Sequence, residues 1–345
     1  MKMKAAVWKD INSVQIEDMP VPVPNKDEVL IRVMSCGVCV TDLHIIRGLF
    51  GYCKPPAVLG HEISGIIVET GKEVKKFKCG DRVVVETMNN CGDCLYCRTG
   101  NKNLCDYGGD IGFPPYQGGY SQYVVCPERC LYKIPDNVSF DEAAILEAAI
   151  CPAGAVYRLG IRMNETVVVL GTGIAGLSFI QAARICGAGK IIAAARSKTR
   201  LEQALKFGAD VAVDVSKEDL LKRIYDETDG HGADICFEAA GVRDTLDICA
   251  KLVRKNGRII LYGIPQDNHD IRFPVADIVL KQLAVYGTNG NPHVWKPLLD
   301  LTSQGKFNVK DMVSSIMPLN DIDKALDLVE KRPEGFIKAV LHPWD

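Results

Sequence analysis

Cys91, Cys94, Cys97 and Cys105 stand in a C-x2-C-x2-C-x7-C spacing, and no other feature of the chain constrains its local fold so tightly. Four thiolates this close in sequence reach one tetrahedral Zn²⁺ without help from distant segments. Backbone amides exposed by the turns at 91–94 and 97–100 can hydrogen-bond the sulfurs and offset their charge. A closed set of four thiolates leaves no open coordination position, so the metal expected here is structural. A disulfide framework, or chance clustering among the fourteen cysteines, is the competing reading.

A length of 345 residues suggests two domains or one large one. Apolar residues at 47% supply ordinary globular cores, and 24% charged residues argue against disorder. Lys plus Arg (41) against Asp plus Glu (43) leaves a net charge of −2, which gives no electrostatic reason to expect nucleic acid or an anionic membrane as partner. The lobe around the four cysteines sets Arg98 and Lys102 against Asp93 and Asp106, so it lacks the basic face of a nucleic-acid-binding zinc module. Residues 1–10 are basic but meet acid before a signal-like apolar core can form. The most membrane-like stretch, 167–180, is too short to span and carries three glycines. A cytoplasmic location is expected. In that reducing compartment cysteines read as metal ligands and buried thiols rather than disulfides.

From Met3 to about Pro135 short alternating runs such as 29–33, 64–70 and 82–85 are broken by Gly and Pro, the texture of an all-β, barrel-like domain. An alanine-rich helix is expected at 140–159, opened by Asp141 and Glu142. Strand-like runs at 166–170, 190–195, 210–215, 234–238, 258–263 and 284–287 then alternate with helical stretches, 177–186 the first of them. That is the pattern of a doubly wound α/β domain with a parallel sheet. The tail from about Pro292 returns to mixed elements and ends in a strand-like run at 336–341, expected to pack back on the first domain.

Gly171-Thr172-Gly173-Ile174-Ala175-Gly176 is a G-x-G-x-x-G placed directly after a strand-like run and opening a helix. There Gly171 permits the tight turn, Gly173 lets backbone approach a pyrophosphate, and Gly176 allows close helix–strand packing. The helix start around Ile174 and Ala175 then faces the phosphates. After the second strand, NAD enzymes place a carboxylate on the ribose 2′-hydroxyl. This chain has Ala195-Arg196-Ser197-Lys198-Thr199-Arg200 instead. Three cations, Arg196, Lys198 and Arg200, with the Ser197 hydroxyl suit a 2′-phosphate, so NADP is expected, with NAD the alternative. A solvated basic helix start is the plainer reading.

The run 36–44, Cys-Gly-Val-Cys-Val-Thr-Asp-Leu-His, together with Leu59-Gly60-His61-Glu62, gathers thiolate, imidazole and carboxylates. A catalytic zinc needs about three protein ligands and an open position, and Cys39 and His61 are the natural first two. Alone, either residue would read as a buried thiol or a satisfied core histidine.

With these motifs in order, and with the stretch Gly119-Tyr120-Ser121-Gln122-Tyr123-Val124, the chain resembles the zinc-containing medium-chain alcohol and polyol dehydrogenases along essentially its whole length. The resemblance implies a Rossmann doubly wound domain at 153–291. It also implies a GroES-like β-barrel catalytic domain at 1–152, carrying the structural lobe at 89–108 and completed by 292–345. It implies one catalytic and one structural zinc. Cys39 and His61 would bind the catalytic ion, with Asp42 orienting His61, Thr41 contacting the substrate oxygen, and His44 passing the proton to solvent. In the sorbitol-dehydrogenase-like branch, Glu62 and a glutamate of a Leu-Glu-Pro segment complete or border the metal site. Here that segment reads Leu146-Glu147-Ala148, with Cys151 four residues beyond Glu147 as the alternative ligand. Glu62 and Glu147 are favoured because carboxylates are common in catalytic sites. The implied reaction moves a hydride between a secondary, cyclic or sugar alcohol, or the matching ketone, and the nicotinamide. Segments 50–52 and 111–117 are expected to wall the pocket. The implied assembly is a homodimer or homotetramer through a sheet edge at 279–287. A non-catalytic NADPH-binding protein of the quinone-reductase or crystallin type is the alternative, against which Cys39, Thr41, His44 and His61 together argue.

Overall fold

The computed structural model describes residues 1–264, 274–290 and 292–345. The chain separates into two compact units, Met1–Ala148 with Trp295–Asp345, and Ala149–Val294. Asn291, where the second expected domain ends, lies outside the described residues.

In the first unit, β-branched and apolar residues alternate along the strands, and the longest, Glu28–Val38, organises the main sheet. The strand order is Leu131–Lys133, Arg82–Val85, Glu62–Thr70, Glu28–Val38, Lys338–His342, Val313–Pro318, with Tyr123–Pro127 also paired to Glu28–Val38. The C-terminal strand returns to this sheet, Leu341 opposite Cys36 and Val340 opposite Gly37. It starts at Lys338 rather than at residue 336, since Phe336 closes a turn through its amide to the Pro333 carbonyl at 3.0 Å. A separate three-stranded sheet pairs Lys2–Asp10 with Ser13–Pro20 and Ala57–Val58. Its Trp8 is buried in the apolar core with Ile31, Ile63 and Tyr120.

In the second unit six parallel strands run in the order Val211–Asp214, Lys190–Ala195, Thr166–Leu170, Ala233–Glu238, Val253–Leu261, Ala284–Gly287. Numbered along the chain this is 3-2-1-4-5-6, the order of a dinucleotide-binding fold. Val167, Val168 and Val169 are fully buried, as a strand covered on both faces requires. The rings of Phe179 and Phe237 stack at 4.5 Å between a helix and the central sheet. The strand Val253–Leu261 begins earlier than the apolar run at 258 suggests, because Val253 pairs with Ala233 across a register shift before the regular ladder starts.

Helix Phe140–Leu159 begins where expected, but its cap is Ser139. The Ser139 hydroxyl accepts the Glu142 amide at 3.2 Å, and Glu142 Oε2 accepts the Ser139 amide at 2.9 Å, a reciprocal capping box. Helix Ile174–Ile185 starts three residues before the expected 177, because the fingerprint glycine Gly173 is itself its cap. No helix among the described residues is long and apolar enough to cross a membrane.

Candidate functional site

The site in the first unit is built where strand Glu28–Val38 ends. Cys39 caps the short helix Val40–Ile46, and its backbone amide donates to Asp42 Oδ2 at 3.2 Å. That bond carries Asp42 back under the cap, where it also accepts from the Tyr120 hydroxyl at 2.7 Å and the Gly60 amide at 3.4 Å. Asp42 Oδ1 lies 3.2 Å from His61 Nδ1. Burial works against a charged Asp42, but His61 beside it and the hydrogen bonds from His61, Tyr120 and Cys39 hold its carboxyl below the ordinary range. For His61 burial lowers the pKa, and the charge and hydrogen bond of Asp42 overturn that and raise it well above the usual imidazole value.

With Nδ1 on Asp42, the other nitrogen of His61 points away from the carboxylate. Glu147 Oε2 lies 3.9 Å from His61 Nε2. Ligand atoms of Cys39, His61 and Glu62 all lie within 4.8 Å of one another. Thr41 Oγ1 is 3.5 Å from Cys39 Sγ. Burial pushes Glu147 up to about 7, with Glu62 and Asp110 adding to the rise while His61 and Lys338 oppose it. His44, half-buried and facing the Phe50 ring at 6.4 Å, is lowered by burial and by the nearby Arg47 and Arg332. Cys151 falls in the other unit.

Glu62 depends on two features far apart in sequence. It lies opposite Gly37 in the antiparallel ladder, and a Cβ at Gly37 would stand 1.8 Å from Glu62 Oε2. Glycine therefore gives the carboxylate its place. Glu62 Oε1 accepts from Lys338 Nζ of the returning C-terminal strand, while Oε2 is buried without a partner. The Phe113 ring lies 5.0 Å from the His61 ring. Lys338, Tyr120 and Asp110 were not among the expected site residues. A lone lysine within the apolar run 336–341 was the one available signal for Lys338.

The four-cysteine lobe closes on itself. Cys94 Sγ lies 3.6 Å from Cys97 Sγ and 3.8 Å from Cys105 Sγ, and Cys91 Sγ lies 3.9 Å from Cys97 Sγ. Zn–S bonds of 2.3 Å in a tetrahedron place sulfurs about 3.8 Å apart. A disulfide would bring two of them to about 2.0 Å, so these spacings fit one shared cation, and none of the fourteen cysteines is in a disulfide. Amides of Asp93 and Cys94 each reach Cys91 Sγ at 3.4 Å. Backbone amides of Cys97 and Asp106 pull Cys94 down to about 6. Lys102 Nζ, within the lobe, pairs with the buried Glu86 Oε2 at 2.6 Å and ties it to the strand region below.

In the second unit Gly171 has φ +90°, and a Cβ there would stand 2.9 Å from the Ala240 amide nitrogen. A Cβ at Gly176 would meet the Gly171 carbonyl at 1.9 Å, so the helix packs too closely for any side chain. Gly173 has nothing within 4 Å of that position, which leaves open space at the helix start. Ile174 and Ala175 form the first turn. Arg196 follows strand Lys190–Ala195 and is exposed, and Ser197 caps helix Lys198–Lys206, which carries Lys198 and Arg200 at its start. The carboxylate in register with Ala195 is Asp214, and Ser216 Oγ at 2.5 Å and Lys217 Nζ at 2.8 Å engage it.

Comparison with known proteins agrees with both units. The alcohol dehydrogenase GroES-like domain family matches residues 25–136, and the zinc-binding dehydrogenase family matches residues 175–304. Sorbitol dehydrogenase of Bacillus subtilis (strain 168) is 33% identical over 99% of this chain and 97% of its own length. D-arabitol-phosphate dehydrogenase of Enterococcus avium is 34% identical over 92% of this chain and 94% of its own. A protein of Sinorhizobium meliloti 1021, described as a zinc-binding dehydrogenase and solved bound to NADP, superposes with a TM-score of 0.94 at 30% identity. The superposition covers 99% of this chain and 100% of that one. The chain belongs to the zinc-type medium-chain alcohol dehydrogenases, oxidoreductases that join a GroES-like domain to a Rossmann-type one.

Proposed function

We propose that the protein transfers a hydride between a secondary, cyclic or sugar alcohol, or the matching ketone, and NADP(H), using one catalytic and one structural zinc. The observation that carries this reading is the trio Cys39, His61 and Glu62 with ligand atoms within 4.8 Å of one another. Metal-bound imidazoles characteristically give their second ring N–H to a carboxylate, and Asp42 at 3.2 Å from Nδ1 stands in that role. The buried, unpartnered Glu62 Oε2 is the kind of atom a cation satisfies. Cys39, His61 and Glu62 would hold the catalytic ion with Glu147 at its border. Cys91, Cys94, Cys97 and Cys105 would hold the structural one.

When bound at the first site, zinc supplies a Lewis acid for the carbinol oxygen. Thr41 takes the substrate proton at Oγ1. His44, kept neutral by burial and two nearby arginines, accepts it onward and releases it to solvent. Asp42 fixes the tautomer of His61, and Phe113 excludes water from its face. Gly171, Gly173 and Gly176 make room for a pyrophosphate at the start of helix Ile174–Ile185, with Ile174 and Ala175 in the turn that faces it. Arg196, Ser197, Lys198 and Arg200 would receive the 2′-phosphate of NADP. Residues 1–152 with 292–345 are assigned to catalysis and 153–291 to the nucleotide. A homodimer or homotetramer through the sheet edge at 279–287, which includes strand Ala284–Gly287, in the cytoplasm completes the reading. Its support is that one side of that strand is unpaired among the described residues, and that Tyr286 is 42% exposed.

Metal analysis joined to turnover tests this. The purified protein should carry two zinc ions per chain and oxidise secondary alcohols or polyols with NADP. Cys39→Ser should lose one zinc and all turnover while still binding NADPH. Cys94→Ser should lose the other and aggregate, because structural zinc contributes folding energy. Turnover that survives both Cys39→Ser and His61→Ala would remove the catalytic metal from the reaction.

A further inference from the structure

Four carboxylates surround His61, and three of them are committed. Asp42 accepts from Cys39, Gly60, Tyr120 and His61. Glu62 is held by Lys338, and Glu147 faces His61 Nε2 at 3.9 Å. Asp110 differs: among the described residues its carboxylate has no hydrogen bond or ion pair. Charge on it is nonetheless felt at both His61 and Glu147.

Its position is fixed by backbone. Asp110 ends the two-residue strand Gly109–Asp110, in register with Met88. Its carbonyl accepts the Phe113 amide at 3.0 Å, closing a turn that brings the Phe113 ring to 5.0 Å from the His61 ring. Gly112 in that turn has φ +98°, and a Cβ there would stand 2.8 Å from His61 Cα. The turn that begins at Asp110 is therefore pressed against the histidine, and its half-buried carboxylate has hydrogen-bonding capacity unused.

We propose that Asp110 is a specificity-determining residue that accepts a hydrogen bond from the hydroxyl next to the reacting carbinol. It thereby selects neutral vicinal diols and polyols over simple secondary alcohols, and rejects substrates with a carboxylate or phosphate at that carbon. This rests on the alcohol dehydrogenase reading above and names its substrate class. The physical reason is twofold. A half-desolvated carboxylate gains most from a donor hydroxyl and loses when an alkyl group faces it. An anionic substituent there would meet the Asp110 carboxylate as a like charge.

The experiment measures kcat/KM for butane-2,3-diol, butan-2-ol and lactate with NADP, in zinc-replete wild type, Asp110→Asn and Asp110→Ala. The diol-to-monoalcohol ratio should fall about 10- to 100-fold in Asp110→Ala, in line with loss of a charged hydrogen bond, with the change mainly in KM. Asp110→Asn keeps the shape and one acceptor, and should raise lactate relative to butan-2-ol about 10-fold or more by removing a like charge. A merely structural Asp110 would depress all three substrates together and leave both ratios unchanged, and that result overturns the inference while the dehydrogenase reading stands. Wild type that turns over none of the three, nor any polyol, sinks that reading and this one with it.

Discussion

Lys338 Nζ and Glu62 Oε1 form an ion pair across 276 residues of sequence, with their side chains 5% and 0% exposed. Burial alone would strip the lysine of its charge, and the Glu62 carboxylate, with Cys39 and Glu147 assisting, overrides that and holds Lys338 above the ordinary lysine range. Removing one partner of such a pair leaves an uncompensated buried charge. Lys338→Met should therefore cost about 3–5 kcal/mol in equilibrium denaturation of the metal-loaded protein. Glu62→Gln in the Lys338→Met background should recover part of it. A loss below about 1 kcal/mol would mean that Glu62 finds its counter-charge elsewhere, within reach of the metal site.

That pair also marks where sequence reading ends. Cys39, His61 and the glycine fingerprint were legible because their spacing is short and local chemistry fixes it. The four-cysteine lobe was legible for the same reason, and its sulfur separations of 3.6–3.9 Å follow from the spacing alone. Lys338 carries no motif and reaches Glu62 only because the last strand returns antiparallel to Glu28–Val38. Asp110 sits between the lobe and an aromatic turn, and nothing local says that this turn packs against His61. Strands buried on both faces, Thr166–Leu170 and Lys190–Ala195, could be bounded to the residue because their apolar runs end abruptly. Strand Val253–Leu261 could not, because its first half is polar and is recruited by pairing rather than by hydrophobicity.

On the function proposed above, Arg196 is the side chain expected to set cofactor choice. Strand Lys190–Ala195 ends without a carboxylate, and Asp214 in register with Ala195 is already bound by Ser216 and Lys217. Arg196→Asp adds the acid that would bind a ribose 2′-hydroxyl and repel a 2′-phosphate. The NADP-to-NAD ratio of kcat/KM should fall by about 10- to 100-fold, the worth of a charge-assisted hydrogen bond. Steady-state kinetics with both cofactors checks this, and an unmoved ratio would assign Arg196 to the solvated helix start.

The C-terminal segment is clipped to the start of helix Phe140–Leu159 by a titratable pair. His342 Nε2 lies 2.8 Å from Asp141 Oδ1, and its Nδ1 lies 3.1 Å from Asp345 Oδ2. The Asp141 hydrogen bond raises His342 above its ordinary 6.5, with burial opposing and Asp345 assisting. Burial acts to raise Asp141, but the hydrogen bonds from His342 and Ser35 together with the His342 charge outweigh it and hold the carboxyl below its ordinary 3.8. A raised histidine stabilises the fold fully below its unfolded value of 6.5, and that contribution is lost as pH climbs through the higher folded value. A depressed aspartate stabilises above 3.8 and is lost as pH falls through its lower folded value. The clip is therefore strongest between about pH 4 and 6.5. His342→Gln should cost roughly 0.5–1 kcal/mol at pH 5.5 and progressively less toward pH 9. Thermal melts of wild type and His342→Gln across that range should converge at high pH, and a constant gap would reduce His342 to packing alone.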